Sequence, residues 1–274
     1  MTVSAYRTSD IDFVEEYVAA AERFAIGIAN CDLAAPVPAC PTWSTYDIVV
    51  HLGNVHAWAA TIVETGLQAA DQNDEPDSRR PVVVSAWYAG KAEDLYEVLR
   101  VADMDAPCWN ATGTRLTAGF WQRRQTHETL MHLVDLDQAS GRTTDLSPTV
   151  STDGIAEVLE VFLPRMHARG YVADLSAPLT IRTTDTDHVW TLQPRVDGPP
   201  AVAVRTEPGA DLIEGSAAAV WQLLWQRIAV PLDAISLDSG SDSGSDEEPE
   251  GAPELSFVGN TDRIERFVES RLTP

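Results

Sequence analysis

The sequence predicts two domains of different class. A four-helix bundle occupies residues 1–145, and a smaller α+β domain with an antiparallel sheet occupies 150–274. Length is the first support: 274 residues exceed one small module and fit two domains of ordinary size. Hydrophobic periodicity is the second. Apolar residues recur at helical spacing through the first half, and short alternating runs between turn residues fill much of the second. The hydrophobic fraction of 44% supplies material for both cores.

In the first half, Ser9 and Asp10 are candidate caps for a helix that places Phe13, Tyr17, Phe24 and Ile28 on one face. Ser44, with Asp47 three residues on, approximates a capping box for the second helix. Ile48, Val55, Trp58 and Ile62 continue its apolar stripe, and Gly66 is its expected stop. The polar stretch QNDEPDSRRP reads as a loop. SAWYAGKAEDLYEVLRVAD then reads as a third helix with Trp87, Leu95, Val98 and Leu99 inward. The fourth helix is expected from about Thr117 to Ala139, and SGRTTDLSPT ends it. Four amphipathic helices of this length suggest a bundle.

The second half opens with the helical STDGIAEVLEVFLPRMHAR. PLTIRTT, DHVWTLQPR and AVAVRTE follow as strands, and GSAAAVWQLLWQRI is helical with Ser216 near its start. ELSFVGN and TDRIERFVESRL read as a last strand and a last helix. Between them, LDSGSDSGSDEEPEG offers serine, glycine and acid with nothing apolar to bury, so a disordered acidic insertion is expected at about 238–251. Its spacing does not fit an EF-hand.

Charge excludes several partners. With 42 acidic and 19 basic residues the net charge is −23, which repels nucleic-acid backbones and anionic bilayers alike. No apolar run approaches the roughly 18 residues of a membrane span, and the N-terminus lacks a basic-then-apolar leader, so a cytoplasmic protein is expected. Lys91 is the only lysine, an arginine bias found in high-GC genomes such as those of actinobacteria. Cys31, Cys40 and Cys108 are too few, and wrongly spaced, for a disulfide framework or a C-x-x-C site. Cys40 precedes a helix start, where a lowered thiol pKa is conceivable, but a small apolar role is favoured.

The chemistry-bearing stretch is QRRQTHETLMHLVDLDQ, residues 122–138, with His127, Glu128 and His132 in the pattern H-E-x-x-x-H. Helix neighbours differ by about 100° in azimuth and residues four apart by about 40°. Glu128 and His132 therefore share a face, and His127 does not. Zinc proteases use the spacing H-E-x-x-H with two histidine ligands, so this is not one of them. A third ligand must come from another helix. His51 is the best candidate because it is in line with Val55 and Trp58, whereas His56 is expected to face outward or a loop. Two histidines and a carboxylate suit Zn²⁺ or another divalent transition metal and leave a position open, the pattern of a catalytic site. Asp135, one turn beyond His132, is a candidate acceptor behind it or a plain surface acid. Spacing alone leaves the bland alternatives open: a satisfied core histidine and a surface Glu–His pair.

Two motifs carry a family resemblance. VPACPTWSTYDIVVHLGNVHAW and FWQRRQTHETLMHLVDLD resemble the two N-terminal motifs of the mycothiol-dependent maleylpyruvate isomerase family. The resemblance implies a DinB-like bundle with metal ligands at His51, Glu128 and His132. It also implies a second domain similar in fold to sterol carrier proteins, with LLWQR, holding Trp225 and Arg227, at one helix end. The implied cofactors are a divalent metal, zinc by preference, and mycothiol as thiol cosubstrate. In the implied reaction a metal-activated thiolate adds to the double bond of maleylpyruvate, the new single bond rotates, and elimination gives fumarylpyruvate. The same thiolate could serve a thiol S-transferase. A dianionic substrate calls for arginines, and Arg227 and Arg124 are the catalytic candidates, with Arg123 beside them. The expected partners are a small thiol and an electrophile, with neither nucleic acid nor membrane, on a monomer or weak homodimer. The alternative of another class is a non-catalytic ligand-binding or regulatory protein that keeps the bundle.

Overall fold

The computed structural model describes residues 11–113, 116–230 and 255–274. The expected caps Ser9 and Asp10 and the acidic segment at 238–251 lie outside the described residues. The chain divides into two compact units, one ending at Asp145 and the other beginning at Leu146.

The first unit holds four long helices. They are α1 (Phe13–Ala29), α2 (Thr45–Thr65), α3 (Pro81–Leu99) and α4 (Ala118–Ala139). A short antiparallel ribbon of β1 (Pro36–Val37) and β2 (Cys40–Ser44) precedes α2. Local chemistry sets the ends. Asp12 caps α1, its Oδ1 accepting from the N–H groups of Val14 and Glu15 at 3.1 and 3.0 Å. Ser44 and Asp47 form the reciprocal capping box that opens α2, and Gly66 closes it in the left-handed conformation at φ 71°. Pro81 sits at the start of α3, where a missing N–H costs nothing.

The core of this unit is Tyr17, Phe24 and Ile28 of α1, Ile48, Leu52 and Ile62 of α2, Tyr88, Leu95 and Leu99 of α3, and Trp121 and Leu136 of α4, each at most 2% exposed. Burying each such side chain is worth roughly 1.5–3 kcal/mol. Helix α4 departs from the amphipathic expectation, because 18 of its residues are buried, polar ones included. Several of those polar groups find backbone partners: Gln122 Nε2 donates to Leu99 O at 2.9 Å, and Thr126 Oγ1 donates to Phe13 O at 2.6 Å.

The second unit is α+β. Helix α5 (Pro148–Glu157) runs through one π-helical stretch (Val158–Phe162) into α6 (Leu163–Ala168). Pro164 lies just after the widened turn, where a regular helix would need the N–H that proline lacks. Five strands follow: β3 (Leu179–Thr183), β4 (Val189–Gln193), β5 (Ala201–Ala203), β6 (Asp211–Gly215) and β7 (Leu255–Val258), in the spatial order β5-β4-β3-β6-β7. Three pairings are antiparallel as expected. The β3–β6 pair is parallel, so the sheet is mixed. Strand β6 is additional to the strands expected from the sequence. Helix α7 (Ala217–Leu224) packs on α5, with the Trp221 indole lying where a Cβ at Gly154 would be, 2.3 Å away. Helix α8 (Thr261–Glu269) is tied to β6 by Arg263, whose Nε and Nη2 reach the two Asp211 oxygens at 2.7 and 2.8 Å.

Candidate metal centre

Helices α2 and α4 pack side by side in the first unit, and their facing side chains set the site. His51 projects from the second turn of α2, and Glu128 and His132 project from adjacent turns of α4. His51 Nε2 is 3.6 Å from Glu128 Oε1, and His132 Nε2 is 3.4 Å from the same oxygen. One donor atom from each residue falls within 4.8 Å of the others, the one such cluster of three among the described residues. Two donors about 2.0–2.1 Å from a tetrahedral ion stand roughly 3.3 Å apart, so the spacing and the donor chemistry both fit zinc or a similar divalent ion.

The two α4 donors are held from behind. Arg124, 8% exposed at its side chain, donates from Nη2 to Glu128 Oε2 at 2.8 Å. Asp135, with a fully buried side chain, lies 2.9 Å from His132 Nδ1 through its Oδ2. Burial pushes the Glu128 carboxyl upward, but the Arg124 guanidinium and the two imidazoles overcome it and hold the group well below the usual carboxylate range. Burial likewise pulls His132 down, yet Asp135 and Glu128 raise it to about 9. Exposure grades across the trio, from 11% at His132 and 19% at Glu128 to 38% at His51. The Trp43 ring packs edgewise on His51 at 5.0 Å. The approach to the three donors is therefore from the His51 side.

The remaining histidines of this unit are structural. His127 is fully buried, with its ring edgewise to Phe13 at 5.8 Å, away from Glu128 as the helical arithmetic requires. His56 departs from expectation. It is fully buried, bonded through Nδ1 to Gln125 Oε1 at 2.9 Å and through Nε2 to the Tyr88 hydroxyl at 3.2 Å. Burial pulls it down to about 4, so it is neutral at physiological pH. The inner stripe of α2 is Ile48, Leu52, His56, Ala59 and Ile62, whereas Val55 and Trp58 are half-buried. Ile48 and Ile62 lie inward as expected, while His56, four residues from Leu52, and Ala59 take the inner positions expected of Val55 and Trp58.

Arg227, in the second unit, donates from Nη1 to Trp225 O at 2.8 Å and stands over the Trp225 ring. Arg123 is buried in α4. Cys31 and Cys40 are half-buried and Cys108 is buried. Burial pushes the Cys108 thiol upward, which suits a packing role. No helix among the described residues is long and apolar enough to cross a membrane.

Residues 14–137 match the family model described as "Mycothiol maleylpyruvate isomerase N-terminal domain". The match spans the same four helices and all three candidate ligands. Two solved structures are similar to the chain: the crystal structure of the mycothiol-dependent maleylpyruvate isomerase and that of a histidine-to-alanine mutant of it. Each has a TM-score of 0.56 at 12% identity and covers 81% of this chain and 90% of the other. That likeness extends the shared fold into the second unit. No curated protein matches the chain by sequence. At the level of sequence, the likeness to that family lies within the helical unit.

Proposed function

We propose that this chain, whose helical unit matches that domain model, is a metal-dependent enzyme that uses a low-molecular-weight thiol, mycothiol, against a small electrophile. The observation that carries the reading is the convergence of His51 Nε2, Glu128 Oε1 and His132 Nε2, three donors of suitable chemistry from two helices. A divalent ion held by these three residues would supply the Lewis acidity that lowers the pKa of a bound thiol. The chain's own residues hold the donors in place. The grading of exposure toward His51 gives a small thiol its approach. Arg227 as the holder of an anionic substrate rests on the sequence resemblance.

Within this chemistry, cis–trans isomerisation of maleylpyruvate is the first reading and thiol S-transfer the second. The experiment is metal analysis of the purified protein, followed by assays with mycothiol or glutathione against maleylpyruvate and a bimane electrophile. About one equivalent of divalent metal, lost in His51→Ala and Glu128→Ala, is expected together with mycothiol-dependent turnover. Turnover of maleylpyruvate supports the isomerase, and thiol consumption with the bimane alone supports the transferase. A folded protein that takes up no metal and consumes neither substrate returns the chain to the non-catalytic, ligand-binding alternative.

A further inference from the structure

Behind the two α4 donors stand polar side chains of the same helix. Arg124, Glu128, His132 and Asp135 form one file along α4, each about a turn from the next. At one end the Arg124 guanidinium holds Glu128 Oε2 at 2.8 Å, while Oε1 faces His51 and His132. At the other end Asp135 holds His132 Nδ1 at 2.9 Å, while Nε2 faces Glu128. A carboxylate with both oxygens available can chelate a metal and take up a second coordination position. One whose far oxygen is bonded to a buried guanidinium presents a single donor atom.

Resting on the metal-centre reading above, we propose that Arg124 and Asp135 are positioning residues: Arg124 keeps Glu128 a one-oxygen ligand, and Asp135 fixes His132 to bind through Nε2. The arrangement preserves a coordination position for the thiol, because the carboxylate is prevented from filling it. It also reassigns Arg124, a substrate-binding candidate by sequence, to the support of a ligand. The bond from Asp135 makes Nδ1 of His132 the protonated nitrogen when the ring is neutral, which leaves Nε2 with its lone pair.

The test loads the full-length protein with Co²⁺, whose visible bands are strong in four-coordinate sites and weak in five- or six-coordinate ones. Wild type is expected to give the strong four-coordinate spectrum. Arg124→Met is expected to weaken it as Glu128 becomes free to chelate. Asp135→Asn is expected to lower metal affinity about 10- to 100-fold in a chelator competition, with partial recovery in Asp135→Glu. If Arg124→Met fails to fold, Arg124→Lys, which keeps charge but loses the planar fork, is read in the same way. Co²⁺ binding by wild type with an unchanged spectrum in the Arg124 variant and unchanged affinity in Asp135→Asn overturns this proposal alone. An Arg124 variant that raises KM while leaving the spectrum intact returns that residue to substrate binding. A wild type that binds no Co²⁺, or binds it equally well as His51→Ala, overturns the metal-centre reading and this proposal with it.

Discussion

His56 shows how a single buried group ties stability to pH. Its ring is fully buried between Gln125 and Tyr88, and burial lowers it from the ordinary imidazole value of 6.5 to about 4. Above pH 6.5 the ring is neutral in both folded and unfolded chains, and its contribution is fully present. As pH falls from 6.5 toward 4, the unfolded chain takes up the proton and the folded chain does not. The native state therefore loses up to about 3 kcal/mol from this residue. The variant His56→Gln carries no such titration. Urea unfolding of both proteins at pH 7.5 and pH 4.5 is expected to show the variant's deficit shrinking by about 2–3 kcal/mol at the acid end. A deficit that stays constant across that range sinks the assignment. Legibility at this scale followed the range of the partner. Glu128 and His132 lie four apart on one helix, so their shared face was computable; Arg124 is also four from Glu128, yet the expectation for it was a substrate role rather than this pairing. The bonds of His56 reach 69 residues to Gln125 and 32 to Tyr88, distances that no local pattern encodes.

Elements in this chain are set by caps that sequence reveals and by contacts that it conceals. The Ser44 and Asp47 box and the Gly66 stop of α2 were readable, because each acts within its own turn. Strand β6 was not, since Asp211 is accommodated in the sheet by Arg263, 52 residues away. The close approach of α5 and α7 is of the concealed kind. Gly154 sits in a helix interior, where alanine would ordinarily gain about 1 kcal/mol in helix propensity. Here a Cβ would stand 2.3, 2.5 and 2.8 Å from three atoms of the Trp221 indole, a ring that is itself fully buried and has no space to retreat into. Overpacking of that kind costs about 1–3 kcal/mol and more when both partners are rigid, so the steric cost exceeds the propensity gain. Gly154→Ala is expected to lose about 1–2 kcal/mol in chemical denaturation, with an unchanged m-value. A stabilised variant would mean that α5 and α7 part freely.

At the scale of the whole molecule, charge decides how the candidate site meets its substrates. The chain carries −23, and 19 basic residues are spread among 42 acids, so its long-range field opposes any anion. The candidate metal centre contributes two carboxylates, Glu128 and Asp135, and one guanidinium, Arg124, already engaged with Glu128; with a divalent ion bound its charge would be about +1, small against that of the rest of the chain. A dianionic electrophile such as maleylpyruvate thus approaches against the field, whereas an uncharged one does not feel it. Screening shortens that field from about 30 Å at 0.01 M salt to about 8 Å at 0.15 M. On the proposed function, kcat/KM for the dianion is expected to rise severalfold over that range of added NaCl, while the value for a neutral electrophile stays level. Steady-state assays of both substrates under the same thiol concentration separate this effect from any influence of salt on the thiol. A kcat/KM for the dianion that falls with salt would instead reveal a local cationic funnel strong enough to reverse the sign of the global charge. In that case Arg227→Ala, the substrate-holding candidate, is the variant in which the salt dependence should invert.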